Sequence, residues 1–145
     1  MQIGTEFSIA IHILLCTEFF KNSHKITSDF ISSGANINAA TIRKIMTMLK
    51  AANLIDVIQG TGGIVLKRSP DDISLKDVYL AVAPVKNGEL FKIHKGTAIA
   101  CPIGGTIEKV LTPYFFASQH AMEESLAQQN LSLLLNDIKA SNENA

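Results

Sequence analysis

The sequence predicts a mostly α fold with one small β-hairpin, an α+β domain that continues into a long C-terminal helix. Three observations predict it. Two short helical patterns follow each other between Thr27 and Ala52; two β-rich runs are split by Gln59-Gly60-Thr61-Gly62-Gly63; and an apolar stripe at helical spacing runs from Ile103 to Leu126. The first two lie together in Ile26–Leu66, and the rest of the chain reads as support before that stretch and as pairing and control machinery after it.

Composition bounds the answer. With 145 residues and 47% apolar content the chain can bury a real core, as one domain with an appended element. No run approaches the roughly 18 apolar residues of a membrane span, and Ile9–Leu15 is broken by His12, so neither a span nor a signal peptide is expected and the protein is placed in the cytoplasm. Cys16 and Cys101 lie far apart with no CxxC pair, and His12, His24, His94 and His120 are scattered, so no metal, cofactor or disulfide framework is expected. The formal charge of zero hides an asymmetry: Lys21–Arg68 holds seven bases against Asp29 and Asp56, whereas five acids face two bases from Ile103 onward. A basic module joined to an acidic one suits a DNA-facing end and a protein-facing end, with chance clustering as the alternative.

The elements follow in order. Phe7–Phe20 is apolar nearly all round and predicts a buried helix with Thr5 as N-cap and Cys16 as a small core residue. Thr27 caps the next helix, Asp29 sits in its first turn, Phe30 and Ile31 supply its core face, and Gly34 suits a left-handed stop. Asn38 caps a helix over Ala39–Ala52 whose Ile42, Ile45, Met46, Leu49 and Ala52 share one face. The opposite face holds Ala40, Arg43, Lys44, Thr47 and Ala51: small residues that allow close approach to a groove, two bases and a hydroxyl. A merely solvated face stays open for this helix alone. Leu54–Ile58 and Ile64–Leu66 flank the glycine-rich turn as a hairpin, and Lys67 and Arg68 follow it.

Helix-turn-helix plus hairpin is a winged helix, and the combination is far more specific than its parts. The KIMTMLKAANLI run, the QGTGGIVL hairpin, the ISLKDVYLAV segment and the CPIGGTIEKVL run resemble, in order and spacing across about Gln2–Ile138, the Rrf-two family of bacterial winged-helix transcription regulators. The resemblance implies pairing of two subunits through the long helix. Many relatives hold an iron-sulfur cluster on three cysteines in the loop before that helix; with Cys101 alone there, a cluster-free member is implied.

Beyond the hairpin, Ser74 and Asp77 form a capping-box pair at the start of a helix expected to bury Leu75, Val78, Leu80 and Val82 and to end at Pro84. Val85–Ala100, with Gly88, Gly96 and its lysines, reads as a mobile loop in which Leu90, Phe91 and Ile93 could form a brief strand. Cys101-Pro102 is expected to open the longest helix, kinked by Pro113, with Ile107, Leu111, Tyr114, Ser118 and Met122 at a dimer interface. Leu131–Ile138 reads as a closing helix and Ser141–Ala145 as a disordered end. The domains are then 1–83 for the winged helix, 84–101 for a loop of possible sensing role, 102–140 for dimerisation and 141–145 for the tail.

The expected function is a homodimeric regulator, a repressor, binding a palindromic site in double-stranded DNA. Thr27, Ser28, Lys44 and the hairpin residues Gln59, Thr61 and Gly62, with Lys67, hold the backbone, while Ala40, Arg43 and Thr47 approach the bases. Cys101, placed at a helix N-terminus beside lysines, is a candidate redox sensor, with inert packing against Pro102 as the alternative, and an oxidant or a small molecule is the expected effector. A protein–protein adaptor using the same helix face is the second reading. An enzyme is not expected, since no general base accompanies Cys101.

Overall fold

A computed structural model of the chain describes residues 3–60, 62–82 and 88–144. Thr61 and Pro84, both named above, lie outside them. The order is α1 (Glu6–Phe19), α2 (Ser28–Ala35), α3 (Ala39–Ala51), β1 (Ile55–Val57), β2 (Ile64–Leu66), a 3-10 turn (Pro70–Asp72), α4 (Leu75–Val82), α5 (Ile107–Ala127) and α6 (Leu131–Glu143).

Local chemistry starts most of these elements. Thr27 Oγ1 accepts from Phe30 N at 3.1 Å and Asn38 Oδ1 accepts from Ala40 N at 2.7 Å, so both helices of the helix-turn-helix begin on a side-chain cap. The Ser74–Asp77 box is reciprocal, each side chain taking the other's backbone N–H at 3.0 Å. Thr5 does not cap α1: its backbone is already helical, and its carbonyl instead accepts from Ser8 Oγ. The left-handed residue that ends α2 is Asn36, at φ 55°, while Gly34 stays inside the helix. Asparagine tolerates that region because its short polar side chain bonds locally.

The core is built around α3. Ile42, Ile45 and Leu49 of α3, Ala10, Ile13 and Leu14 of α1, Ile31 of α2, Leu54, Ile55 and Ile64 of the hairpin, and Val78 and Val82 of α4 are buried in one cluster. Thr17, also buried, donates to Ile13 O at 2.7 Å, so its hydroxyl is satisfied. Cys16 is half-buried against this cluster as a small apolar side chain, and burial pushes its thiol pKa up.

Two assignments shift on α4 and α6. Tyr79, not Leu80, faces the core; Leu80 is 53% exposed. The helical period explains it, because 75, 78, 79 and 82 share a face and 80 lies opposite. Leu131 of α6 belongs to the core, Leu75 N donates to Gln129 O at 2.8 Å, and Leu131 N donates to Ile73 O at 3.1 Å. Thus α6, which the sequence groups with the pairing segment, also packs against α1 and the 3-10 turn, and it is helical through Glu143, where a disordered end is expected.

The hydroxyl of Tyr79 is buried and meets no hydrogen-bonding group among the described residues, while its ring stands edge-on to Phe7 with centroids 5.7 Å apart. Burial, then the negative charge of Glu123, pushes its pKa up. Tyr79→Phe leaves no protein partner unpaired, so its unfolding free energy in urea is expected to stay within about 1 kcal/mol of wild type at neutral pH. The native state holds this proton more tightly than the unfolded chain. That contribution is complete below the ordinary tyrosine range and is lost as pH rises through it, and the phenylalanine variant should show a shallower alkaline decline. A neutral-pH loss well beyond about 2 kcal/mol would mean that the hydroxyl has a partner.

Candidate nucleic-acid interface

The hairpin is anchored to the helix-turn-helix by its backbone. β1 and β2 pair antiparallel with Ile55 opposite Leu66 and Val57 opposite Ile64, and Ile58 N donates to Gly63 O at 2.8 Å to close the turn. Gly60 and Gly62 hold φ of 86° and 76°, which side chains resist. Ile64 N then donates to Ile26 O at 3.0 Å, joining β2 to the segment that leads into α2. Two residues on, Ser28 Oγ accepts from Arg43 Nη1 of α3 at 3.5 Å. The start of α2 therefore ties the hairpin on one side and the Arg43 side chain on the other into a single surface.

On that surface Ala40, Arg43, Lys44, Thr47 and Ala51 are all exposed, on the face of α3 opposite Ile42, Ile45 and Leu49. The Thr47 hydroxyl donates to Arg43 O at 3.0 Å, so it is occupied along its own helix and offers a ligand acceptor lone pairs and a methyl group. Thr27 is spent as the α2 cap; Ser28 is half-buried; Gln59 and Gly62 are exposed at the hairpin turn. Lys67 stands at the foot of the hairpin, away from its tip, with Nζ 3.2 Å from Asn53 Oδ1. Arg68 turns to α4, 3.6 Å from Asp77 Oδ2, and Lys21 pairs with Glu18 at 2.6 Å. One base that sequence reasoning passed over lies beside the hairpin: the Lys25 side chain runs along Gly62 and Gly63. Only the three-dimensional approach of residues 25 and 63 shows it.

The loop before α5 differs from expectation. Among the described residues it forms no strand, and it is fastened to α5: Leu90 N donates to Gln119 Oε1 at 2.9 Å, Phe91 stacks on Phe115 at 5.2 Å, and Lys95 pairs with Glu108. Cys101 does not open a helix, since α5 begins at Ile107. It sits in a turn closed by Cys101 N to Ala98 O at 3.1 Å and Gly105 N to Cys101 O at 2.8 Å. Glycines are required there by space: a Cβ on Gly104 would lie 2.7 Å from Ala98 O, and one on Gly105 2.6 Å from Ile99 O. The exposed thiol has a lowered pKa, and the cause is the nearby backbone N–H of Gly104, then that of Ile103.

Along the expected α5 stripe Ile107, Leu111 and Met122 are half-buried, whereas Tyr114 and Ser118, on the same helical face, are exposed. None of the described side chains of this 21-residue helix is buried, and Val110, Tyr114 and Phe116 are 52%, 70% and 72% exposed. The helix continues through Pro113, which has no N–H to give the Lys109 carbonyl.

Comparison with known proteins places this geometry. Residues 3–137 match the family model Rrf2, described as "Iron-dependent Transcriptional regulator". The chain is 35% identical over 137 residues to the "Putative HTH-type transcriptional regulator YwnA" of Bacillus subtilis (strain 168), covering 94% of this chain and 99% of that one. A solved structure described as a putative DNA binding protein superimposes with a TM-score of 0.68 at 33% identity, over 88% of this chain and 96% of its own. The structure of CymR, "the Global Cysteine Regulator of B. subtilis", has a TM-score of 0.69 over 94% of this chain and 97% of its own, and at 18% identity it speaks to the fold alone.

The iron in the family description finds no ligand set here. Among the described residues no three His, Cys, Asp or Glu side chains converge, and Cys101 is alone in its loop. Nor is any described helix long and apolar enough to cross a membrane. Members of this family are transcriptional regulators rather than enzymes, and a match over nearly the whole chain, a winged helix and an exposed basic face on α3 agree: the chain belongs to the Rrf2 family of transcriptional regulators.

Proposed function

We propose that two copies pair through α5 and bind a palindromic operator in double-stranded DNA, with α3 of each copy in a major groove and each hairpin on the flanking backbone. The observation that carries this reading is the single surface on which Arg43, braced by Ser28, stands beside a hairpin tied to Ile26. Arg43 and the small Ala40 approach base edges; Lys44, Ser28, Gln59 and Gly62 meet phosphate and sugar. A two-fold pair of such surfaces reads two half-sites separated by one or two helical turns. Repression by occupancy is the simplest output, because it needs only tight binding.

Cys101 is the proposed point of control. The exposed thiol, its pKa lowered by two nearby backbone N–H groups, is open to hydrogen peroxide. Attack of its deprotonated sulfur on one peroxide oxygen breaks the O–O bond, leaving a sulfenic acid and releasing hydroxide; sulfur loses the two electrons the peroxide gains.

The test is titration of the protein against a duplex selected from a random pool, over a range of salt. Counterion release predicts a steep fall of log affinity with log salt, whereas a flat response, or no binding, would favour a surface that docks a partner protein. Repeating the titration after mild peroxide treatment should change the affinity of wild type and leave that of Cys101→Ser unaltered. An equal response in both removes Cys101 from the control mechanism.

A further inference from the structure

The hairpin poses a problem for a DNA-binding wing. Its turn, from Val57 to Gly63, contains no lysine or arginine, and Asp56 precedes it, so the sequence of the wing supplies no cation for the phosphates it would lie against. The bases next along the chain are committed elsewhere, Lys67 to Asn53 and Arg68 to Asp77.

We infer that Lys25, lent from the segment ahead of α2, is the phosphate contact of the wing. A Cβ at Gly63 would lie 3.2 Å from Lys25 Cγ, and one at Gly62 would lie 3.9 Å from its Nζ. The stem thus crosses Gly63 and delivers the ammonium group at Gly62. Gly63 itself is not among the glycines with positive φ; a side chain there would press on the Lys25 stem and meet the Ile26 backbone at 3.6 Å, an ordinary contact. Lys25 is exposed and, among the described residues, no carboxylate lies within ion-pairing distance of it. The hydrogen bond from Ile64 N to Ile26 O holds the next residue to β2, so the ammonium travels with the hairpin. An unpaired lysine on a glycine surface is a compact point charge with room for a phosphate to approach, and its contact is indifferent to sequence.

This inference rests on the DNA-binding reading, and its test separates the two. Wild type, Lys25→Gln, Lys25→Arg and Arg43→Ala, each as the full chain, are titrated with a duplex selected by wild type and with a scrambled duplex, over a range of salt. Losing one phosphate contact per chain should make the log–log salt slope shallower by about 0.9 per chain, which at about 0.1 M salt is roughly eightfold weaker binding per contact. Lys25→Gln should weaken both duplexes alike and keep their ratio; Lys25→Arg should restore the slope; Arg43→Ala should collapse the ratio instead. A Lys25→Gln protein with wild-type affinity and slope, beside a weakened Arg43→Ala, overturns the Lys25 contact and leaves the DNA reading standing. So does a loss of affinity with an unchanged slope that arginine fails to restore, since that is a structural effect. Failure of wild type to bind either duplex overturns both.

Discussion

Arg43→Ala is expected to weaken binding to the selected duplex by about 1–3 kcal/mol per base contact, roughly five- to 150-fold, and to flatten the preference for that duplex over a scrambled one. Arg43 is exposed, and its side-chain contact outside its own helix is the Ser28 hydroxyl, so the variant should unfold with a wild-type transition. Arg43→Lys should rescue little of the preference, because an ammonium cannot make the two parallel bonds that a guanine edge offers a guanidinium. Fluorescence anisotropy with the two duplexes measures both effects. Equal affinities for wild type and Arg43→Ala would remove α3 from the reading role, whatever the salt dependence of the protein.

The features legible in the sequence are those decided within a few residues. Thr27, Asn38 and the Ser74–Asp77 pair cap as read because each bonds a backbone N–H two or three residues away. The core face of α3 follows from spacing alone, and so does its exposed opposite face. What failed depends on the rest of the fold. Cys101-Pro102 looks like a helix start, yet Gly104 and Gly105 let the chain fold back on Ala98 and Ile99, and the helix waits until Ile107. Leu131 looks like part of the pairing region until Ile73 and Gln129 are seen to bond across to it and to Leu75. The site shows the same division. Arg43 and Ala40 were legible from the helix period, whereas the Arg43–Ser28 bond and the course of Lys25 join positions no local pattern connects.

Tyr114→Glu should convert the proposed dimer to a monomer and raise the Kd for the proposed palindromic duplex by about 100-fold or more, since two linked half-sites gain on the order of 10²–10⁴ over one. Val110 and Tyr114 are more than half exposed one turn apart on the same face of α5, and monomeric proteins seldom leave such an apolar surface in water. In the proposed pair, a second copy of the same helix, related by a two-fold axis, would cover it with its own Val110 and Tyr114. A carboxylate at 114 would then be buried twice in one interface, each charge beside its twin, and neither desolvation nor repulsion has a compensating partner. Tyr114 lies outside the core cluster, so the domain itself should fold, and far-ultraviolet circular dichroism should be unchanged. Sedimentation reads the oligomeric state, and binding to a half-site duplex should match that of wild type because Arg43 and the hairpin are untouched. A Tyr114→Glu protein that remains dimeric would assign pairing to another surface. One that becomes monomeric yet keeps full affinity for the palindrome would mean that α5 pairs the chains without coupling their reading heads.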